Sequence, residues 1–336
     1  MSVPLIEVTR GGIVESRHRG FVAVTDGKGN LIASAGNPDV VTFMRSAAKP
    51  IQALNVIFSG AVKQYGITEK ELAIMCSSHY GEEMHCTTVQ GILEKLGLSA
   101  GDLLCGCSMS ISASYRDRQL REHLPLNETN SDCSGKHSGF LSVCKTKGYP
   151  IENYVDAQHP MQQEVLQILA YMSNVSPSDI HIGVDGCGVP VHSLPLRSMA
   201  QAYARLTTPA QLEEPYQSAC KTIVDAMDAY PEMIAGTNGF CTEFLKHTHG
   251  RFCAKLGAEA VYCIGVRDRD MGIAVKIEDG NYRALYPAVM SVLMQLELLT
   301  PQEIEALRSF VTPPNLNDHG QTVGAISPCF CLEMAR

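Results

Sequence analysis

The stretch Arg251–Ile277, RFCAKLGAEAVYCIGVRDRDMGIAVKI, decides how the chain folds. It holds three apolar runs, Arg251–Leu256, Ala260–Val266 and Met271–Ile277, separated by short breaks rich in glycine or charge. Strands of this length joined by such short breaks pair as antiparallel neighbours. The same signals recur at the opposite end of the sequence. Met1–Val8 alternates towards a strand and Arg10-Gly11-Gly12 turns it; Phe21–Val24 and Leu31–Ala33 then flank the hairpin signal Asp26-Gly27-Lys28-Gly29-Asn30. Between these ends the patterns are mostly helical. Thr68–Glu71 reads as a capping box, Glu83–Leu96 as an amphipathic helix on Val89, Ile92, Leu93 and Leu96, and His159-Pro160 opens a helix reaching about Met172. Further helices fall around Ser198–Arg205, Tyr216–Ala229 and Asn238–His247. Gly101–Asn130 reads as irregular, and the tail beyond the closing helices Tyr286–Leu299 and Pro301–Phe310 reads as loop. The simplest packing is α+β: one antiparallel sheet from about 1–45 and 250–280, flanking helices, and a mainly helical middle region over about 60–248. We read 1–336 as a single unit.

Composition narrows the function. At 336 residues the chain buries a sizeable core, and its net charge of −8 comes without any basic cluster. Nucleic acid and anionic membranes are therefore poor partners. No apolar run reaches the length of a membrane span, and Met1–Val8 lacks the pattern of a signal peptide. Thirteen cysteines without an export signal read as reduced thiols in a cytoplasmic protein.

Four stretches carry chemistry. In Arg45-Ser46-Ala47-Ala48-Lys49-Pro50, a helix continuing through Ile51, Leu54 and Ile57 puts the Ser46 hydroxyl and the Lys49 amine on one face. A hydroxyl beside an amine that can shed its proton is a nucleophile with its own base. The same spacing also describes a capping serine and a solvated lysine. In Ser77-Ser78-His79-Tyr80-Gly81 a serine at the end of an apolar segment can project into a pocket, although an ordinary polar turn looks the same. Cys133, Lys136 and His137, with Asp185 and Cys187, place two cysteines on glycine-rich loops; this suits a soft metal or, by spacing alone, simply buried thiols. Lys255 before Gly257 can flank a substrate carboxylate or sit solvated before a turn.

Together with Thr9–Gly12 and Val14–Gly20, these stretches resemble, in order, the Rhizobium-type (class 3, asparaginase II family) L-asparaginases. The resemblance runs from about residue 5 to the C-terminus, with Ala260 standing where the family pattern has glycine. It implies a fold like the serine β-lactamases and glutaminases, a homodimer, and hydrolysis of L-asparagine to L-aspartate and ammonia. It further implies two Ser-Lys tandems, Ser46 with Lys49 and Ser78 with Lys255; of the two serines we take Ser46 as the nucleophile. Zinc is implied on Cys133, Lys136 and Cys187 with water completing the shell, and Asp185, Arg45 and His137 are implied as substrate-binding residues. Rival readings are another serine amidase or β-lactamase-like hydrolase, a threonine nucleophile exposed by cleavage within Gly236–Gly239, and a non-enzymatic zinc- or thiol-binding protein.

Overall fold

The computed structural model describes residues 1–335. Its strands are β1 (Val3–Arg10), β2 (Ile13–Thr25), β3 (Leu31–Ala35), β4 (Val41–Phe43), β5 (Ile182–Val184) and β6 (Pro190–Pro195). They continue with β7 (Phe252–Gly257), β8 (Val261–Val266), β9 (Met271–Ile277), β10 (Pro314–Leu316), β11 (Thr322–Pro328) and β12 (Glu333–Met334). The chain divides into two compact units, one of residues 1–47, 194–208 and 243–336, the other of 48–193 and 209–242.

The first unit is the expected sheet from both ends of the chain. Its strands run in the order β10-β11-β1-β2-β9-β8-β7, with β3 pairing β2 and β12 pairing β3. Its neighbouring strands pair antiparallel, β2 meeting β9 from Gly20↔Ile277 to Thr25↔Gly272. The second half of β2 lies against core: Val22, Ala23 and Val24 are fully buried, as are Ile273, Ala274 and Val275 on β9. The helix Leu196–Thr207 lies so close to the sheet that a Cβ at Gly272 would stand 1.9 Å from the Ala200 carbonyl oxygen. Only glycine permits that approach. The C-terminal tail departs from the loop expected of it. Thr9 Oγ1 accepts from the Ala325 amide at 3.0 Å, and Ile6–Val8 pair with Ile326–Pro328. The polar sequence of this tail hides a strand whose partner lies some 320 residues earlier, so no local periodicity reveals it.

The second unit is helical. Its centre is Ser134–Lys147, buried on every side from Ser134 to Cys144, and flanked by Leu54–Phe58, Glu69–Met75, Glu83–Leu96 and Pro160–Ser173. The capping box on Thr68 and Glu71 forms as expected. Glu83–Leu96 has the predicted bounds and buries Val89, Ile92, Leu93 and Leu96. The stretch 101–130, expected to be irregular, contains the helix Ala113–Arg121. The hairpin of β5 and β6 pairs Ile182 with His192 and Val184 with Pro190. Its second strand escapes a sequence reading because two prolines bound it. Among the described residues no helix is long and apolar enough to cross a membrane.

Candidate active site

In the helical unit the decisive side chain is Lys49, only 1% exposed at the start of the short helix Lys49–Gln52. Its Nζ donates to the Ser77 carbonyl at 2.6 Å, to Ser78 Oγ at 3.0 Å and to the Asp132 carbonyl at 3.3 Å. The Asp132 carboxylate stands 3.8 Å away. Three acceptors match the three protons of an ammonium, which is how a buried charge is made tolerable. Ser78 is set beside it by the backbone. Its N–H donates to the Ile234 carbonyl at 3.1 Å, and Tyr80 N–H donates to the Ala235 carbonyl at 2.7 Å, so two backbone hydrogen bonds hold 78–80 against 234–235. The sequence reading paired Lys49 with Ser46 and Ser78 with Lys255; the Lys49–Ser78 bond is an additional pairing it did not make.

His79 takes no part in a serine–histidine dyad here. Its Nδ1 accepts the Gly81 N–H at 3.1 Å, which leaves the proton on Nε2, 2.8 Å from Ser134 Oγ. Burial, reinforced by His85 and Lys49, holds it well below the usual imidazole range, so it is a neutral strut.

Cys133, Lys136 and Cys187 do converge. Cys133 precedes the central helix, Lys136 lies in its first turn, and Cys187 comes from the loop between β5 and β6, 8% exposed. Lys136 Nζ donates to Cys187 Sγ at 3.0 Å. A hydrogen bond from the Cys133 thiol, with Lys136 adding to it against burial, holds Cys187 far below the usual thiol range. The same bond and burial hold Cys133 far above it. Burial opposes the Lys136 charge, but the two sulfurs more than offset it and raise the amine above its usual range. The cluster therefore brings a lysine amine and two sulfurs into direct interaction. Among the described residues no group of three or more His, Cys, Asp and Glu can hold a metal, so a third protein donor here must be the lysine amine. Two sulfurs and a nitrogen are donors of the kind zinc takes, and the residues fit that ion once Lys136 gives up its proton.

His137 stands next to this cluster, wholly buried. Its Nδ1 lies 2.7 Å from the Tyr154 hydroxyl, and its Nε2 makes no hydrogen bond of ordinary geometry although the Cys187 sulfur is adjacent. Burial pushes it down to about 4, with Cys187 pulling the other way. Asp185 is half-buried at the turn after β5, where its Oδ1 accepts the Gly186 N–H at 2.8 Å. Asp132 and Tyr154 are the residues that the sequence reading gave no role. Asp132 stands immediately before Cys133; Tyr154, in the loop 151–159, carries no local signal at all.

In the sheet unit, Ser46 lies in the tight turn Arg45–Ala48, a 3₁₀ turn and not the opening of one long helix. The helix expected from Ser46 to Phe58 is broken into Lys49–Gln52 and Leu54–Phe58. Arg45 sits at φ +50°, a left-handed conformation that a long side chain seldom adopts and that collects at functional sites. The end of β7 presses on this turn: a Cβ at Gly257 would stand 2.7 Å from the Met44 carbonyl oxygen and 3.2 Å from the Ala47 nitrogen. Residues two apart on a strand share a face, so Lys255 projects from the face of β7 that meets the turn. Lys255 is fully buried, its Nζ donating to the Leu256 carbonyl at 2.7 Å.

The L-asparaginase II family model matches residues 6–328. The chain belongs to the L-asparaginase II family. Membership over nearly the whole chain makes this family member an amidohydrolase acting on a small molecule. Comparison of its sequence with curated proteins gave no match. Among solved structures it is similar to Mglu in its native form, at 16% identity and a TM-score of 0.38, over 85% of this chain and 66% of that one. It is also similar to a β-lactamase, Mb2281c, from Mycobacterium bovis, at 13% identity and a TM-score of 0.40, over 83% of this chain and 95% of that one. Likenesses this distant carry no residue assignment to this asparaginase II family member.

Proposed function

We propose that this chain hydrolyses L-asparagine to L-aspartate and ammonia through an ester formed on a serine. The observation that supports an amine-activated serine, common to both assignments of the attacking hydroxyl, is the buried Lys49 amine 3.0 Å from the Ser78 hydroxyl. Amide hydrolysis needs an activated hydroxyl and a proton for the departing ammonia, and an amine–hydroxyl pair shielded from water supplies both. In this reading Ser46 Oγ attacks the side-chain carboxamide carbon and its proton passes to the neutral form of Lys49 or Lys255. The C–N bond breaks, ammonia leaves with a returned proton, and water then cleaves the ester to free aspartate and the serine. Ser78 relays the proton. Asp185 and Arg45 bind the substrate's charged groups. A second reading, favoured by the Lys49–Ser78 bond itself, makes Ser78 the attacking hydroxyl.

Cys133, Lys136 and Cys187 would hold a zinc ion. Bound there, zinc supplies a fixed positive charge that orients a carboxylate or carbonyl of the substrate. The reading extends to a homodimer in the cytoplasm, checked by light scattering and cell fractionation. The deciding experiment is ammonia release from L-asparagine and, separately, L-glutamine by wild type, Ser46→Ala and Ser78→Ala, with acid-quenched samples mapped by mass spectrometry. An aspartyl adduct on the peptide holding Ser46, absent in Ser46→Ala, supports the reading; full activity in Ser46→Ala removes Ser46 as nucleophile, and no ammonia from wild type removes the substrate.

A further inference from the structure

Behind the sulfur–amine cluster lies a chain of hydrogen bonds that the proposed mechanism does not use, and of whose members the family resemblance names only His137, as a substrate-binding residue. Tyr154 is fully buried, and its Oη lies 2.7 Å from the Leu104 backbone nitrogen and 2.7 Å from His137 Nδ1. A backbone N–H can only donate, so Tyr154 Oη accepts from Leu104. The phenol has one proton of its own. Directed anywhere but at His137 Nδ1, that proton would be buried without an acceptor, which is unfavourable. Nδ1 therefore accepts, and the ring carries its hydrogen on Nε2. That nitrogen is buried and has no hydrogen bond of ordinary geometry, while Cys187, which already receives the Lys136 amine at 3.0 Å, is near enough to the ring to favour its charged form.

We propose that Tyr154 and His137 are positioning residues for Cys187: Tyr154 fixes the imidazole in its Nε2–H form, and that N–H orients the sulfur for the metal. The arrangement rests on the zinc reading above for its purpose, but its first half is a statement about the ring alone. Neither residue is offered as touching substrate or ion. Partners of this sort fix the tautomer and direction of ligating groups, and their loss weakens metal binding by about 10–100-fold. Tyr154→Phe keeps the ring in its packed place and removes only the hydroxyl, so a purely space-filling role leaves metal binding unchanged.

Two measurements test this on the full-length protein. The first is the ¹⁵N chemical shifts of the histidine ring nitrogens in wild type, with His137→Gln identifying the His137 signals. The second is the zinc dissociation constant by competition with a chromophoric chelator, for wild type, Tyr154→Phe and His137→Gln. We expect an Nε2–H signature for His137 in wild type, its loss or mixing in Tyr154→Phe, and zinc bound about 10–100-fold more weakly by both variants. An Nδ1–H signature in wild type overturns the proposal, as do variant dissociation constants within about twofold of a tightly binding wild type, a result that leaves the zinc reading standing. A wild type that binds no zinc overturns the zinc reading and with it the orienting role, while the ring signals still decide the tautomer. If Tyr154→Phe fails to fold, the wild-type ring signals and His137→Gln decide.

Discussion

Gly257→Ala is the sharpest probe of the turn that carries Ser46. The new Cβ would lie 2.7 Å from the Met44 carbonyl oxygen and 3.2 Å from the Ala47 nitrogen, both backbone atoms that no side-chain rotation can move aside. Ordinary contact begins near 3.4 Å, so the strand end and the turn must part by about 0.7 Å. Overpacking of this kind costs about 1–3 kcal/mol of stability, which a chain of this size survives. The larger effect falls on geometry. A displacement near 1 Å of a reacting group costs about 100-fold in rate, so a shift of this size should lower kcat about 10–100-fold while KM changes little. The assay is steady-state ammonia release, with circular dichroism and thermal melting to show that the variant is folded. A folded Gly257→Ala enzyme with wild-type kcat would refute the reasoning, because either the turn does not hold the reacting group or the contact is not obligatory.

Other outcomes follow from the helical unit. Lys49→Met should abolish ammonia release and lower stability by about 1–3 kcal/mol, since it strips the buried Ser77 carbonyl of its donor at 2.6 Å; urea unfolding checks this. Cys133→Ser and Cys187→Ser should each lose stoichiometric zinc by elemental analysis and lose activity, and chelation of wild type should reproduce the loss, with recovery on adding zinc. His192 is held near 4 by burial and Lys136 against an ordinary value of 6.5. Between these two values the unfolded chain binds a proton that the folded chain refuses. Stability from this group is therefore complete above about pH 6.5 and falls as pH drops towards 4, by about 3 kcal/mol in all. His192→Gln should lose about 2 kcal/mol less than wild type between about pH 7 and pH 4.5 in urea titrations; an equal loss would show that another group sets the slope.

Much of this architecture is legible because its signals are local. The three strands within Arg251–Ile277 and the helix Glu83–Leu96 announce themselves by period and punctuation, and the structure keeps them within a residue or two. Ser46 was legible as a residue and not as a conformation. The Ser-x-x-Lys spacing suits one α-helix, yet the turn is 3₁₀ and Arg45 is left-handed because β7 presses on it, which is tertiary information. The metal-type cluster shows the same division. Cys133 and Lys136 are three apart, visible in the sequence, whereas Cys187 arrives from a hairpin whose second strand is bounded by prolines. Tyr154 could not have been found. It sits in a loop without periodicity, and its importance comes only from the atoms it meets, Leu104 fifty residues before it and His137.

The sheet threads the chain in a way that bears on its synthesis. Strand β1, made first, lies between β2 and β11, and β2 in turn needs β9, so hydrogen-bonding edges exposed early wait for residues 271–277 and 322–328 to leave the ribosome. Pairing over such separations is slow, and unpaired edges recruit other chains meanwhile. Recovery of soluble protein should therefore depend on expression rate, temperature and chaperone supply more than on the stability of the finished fold.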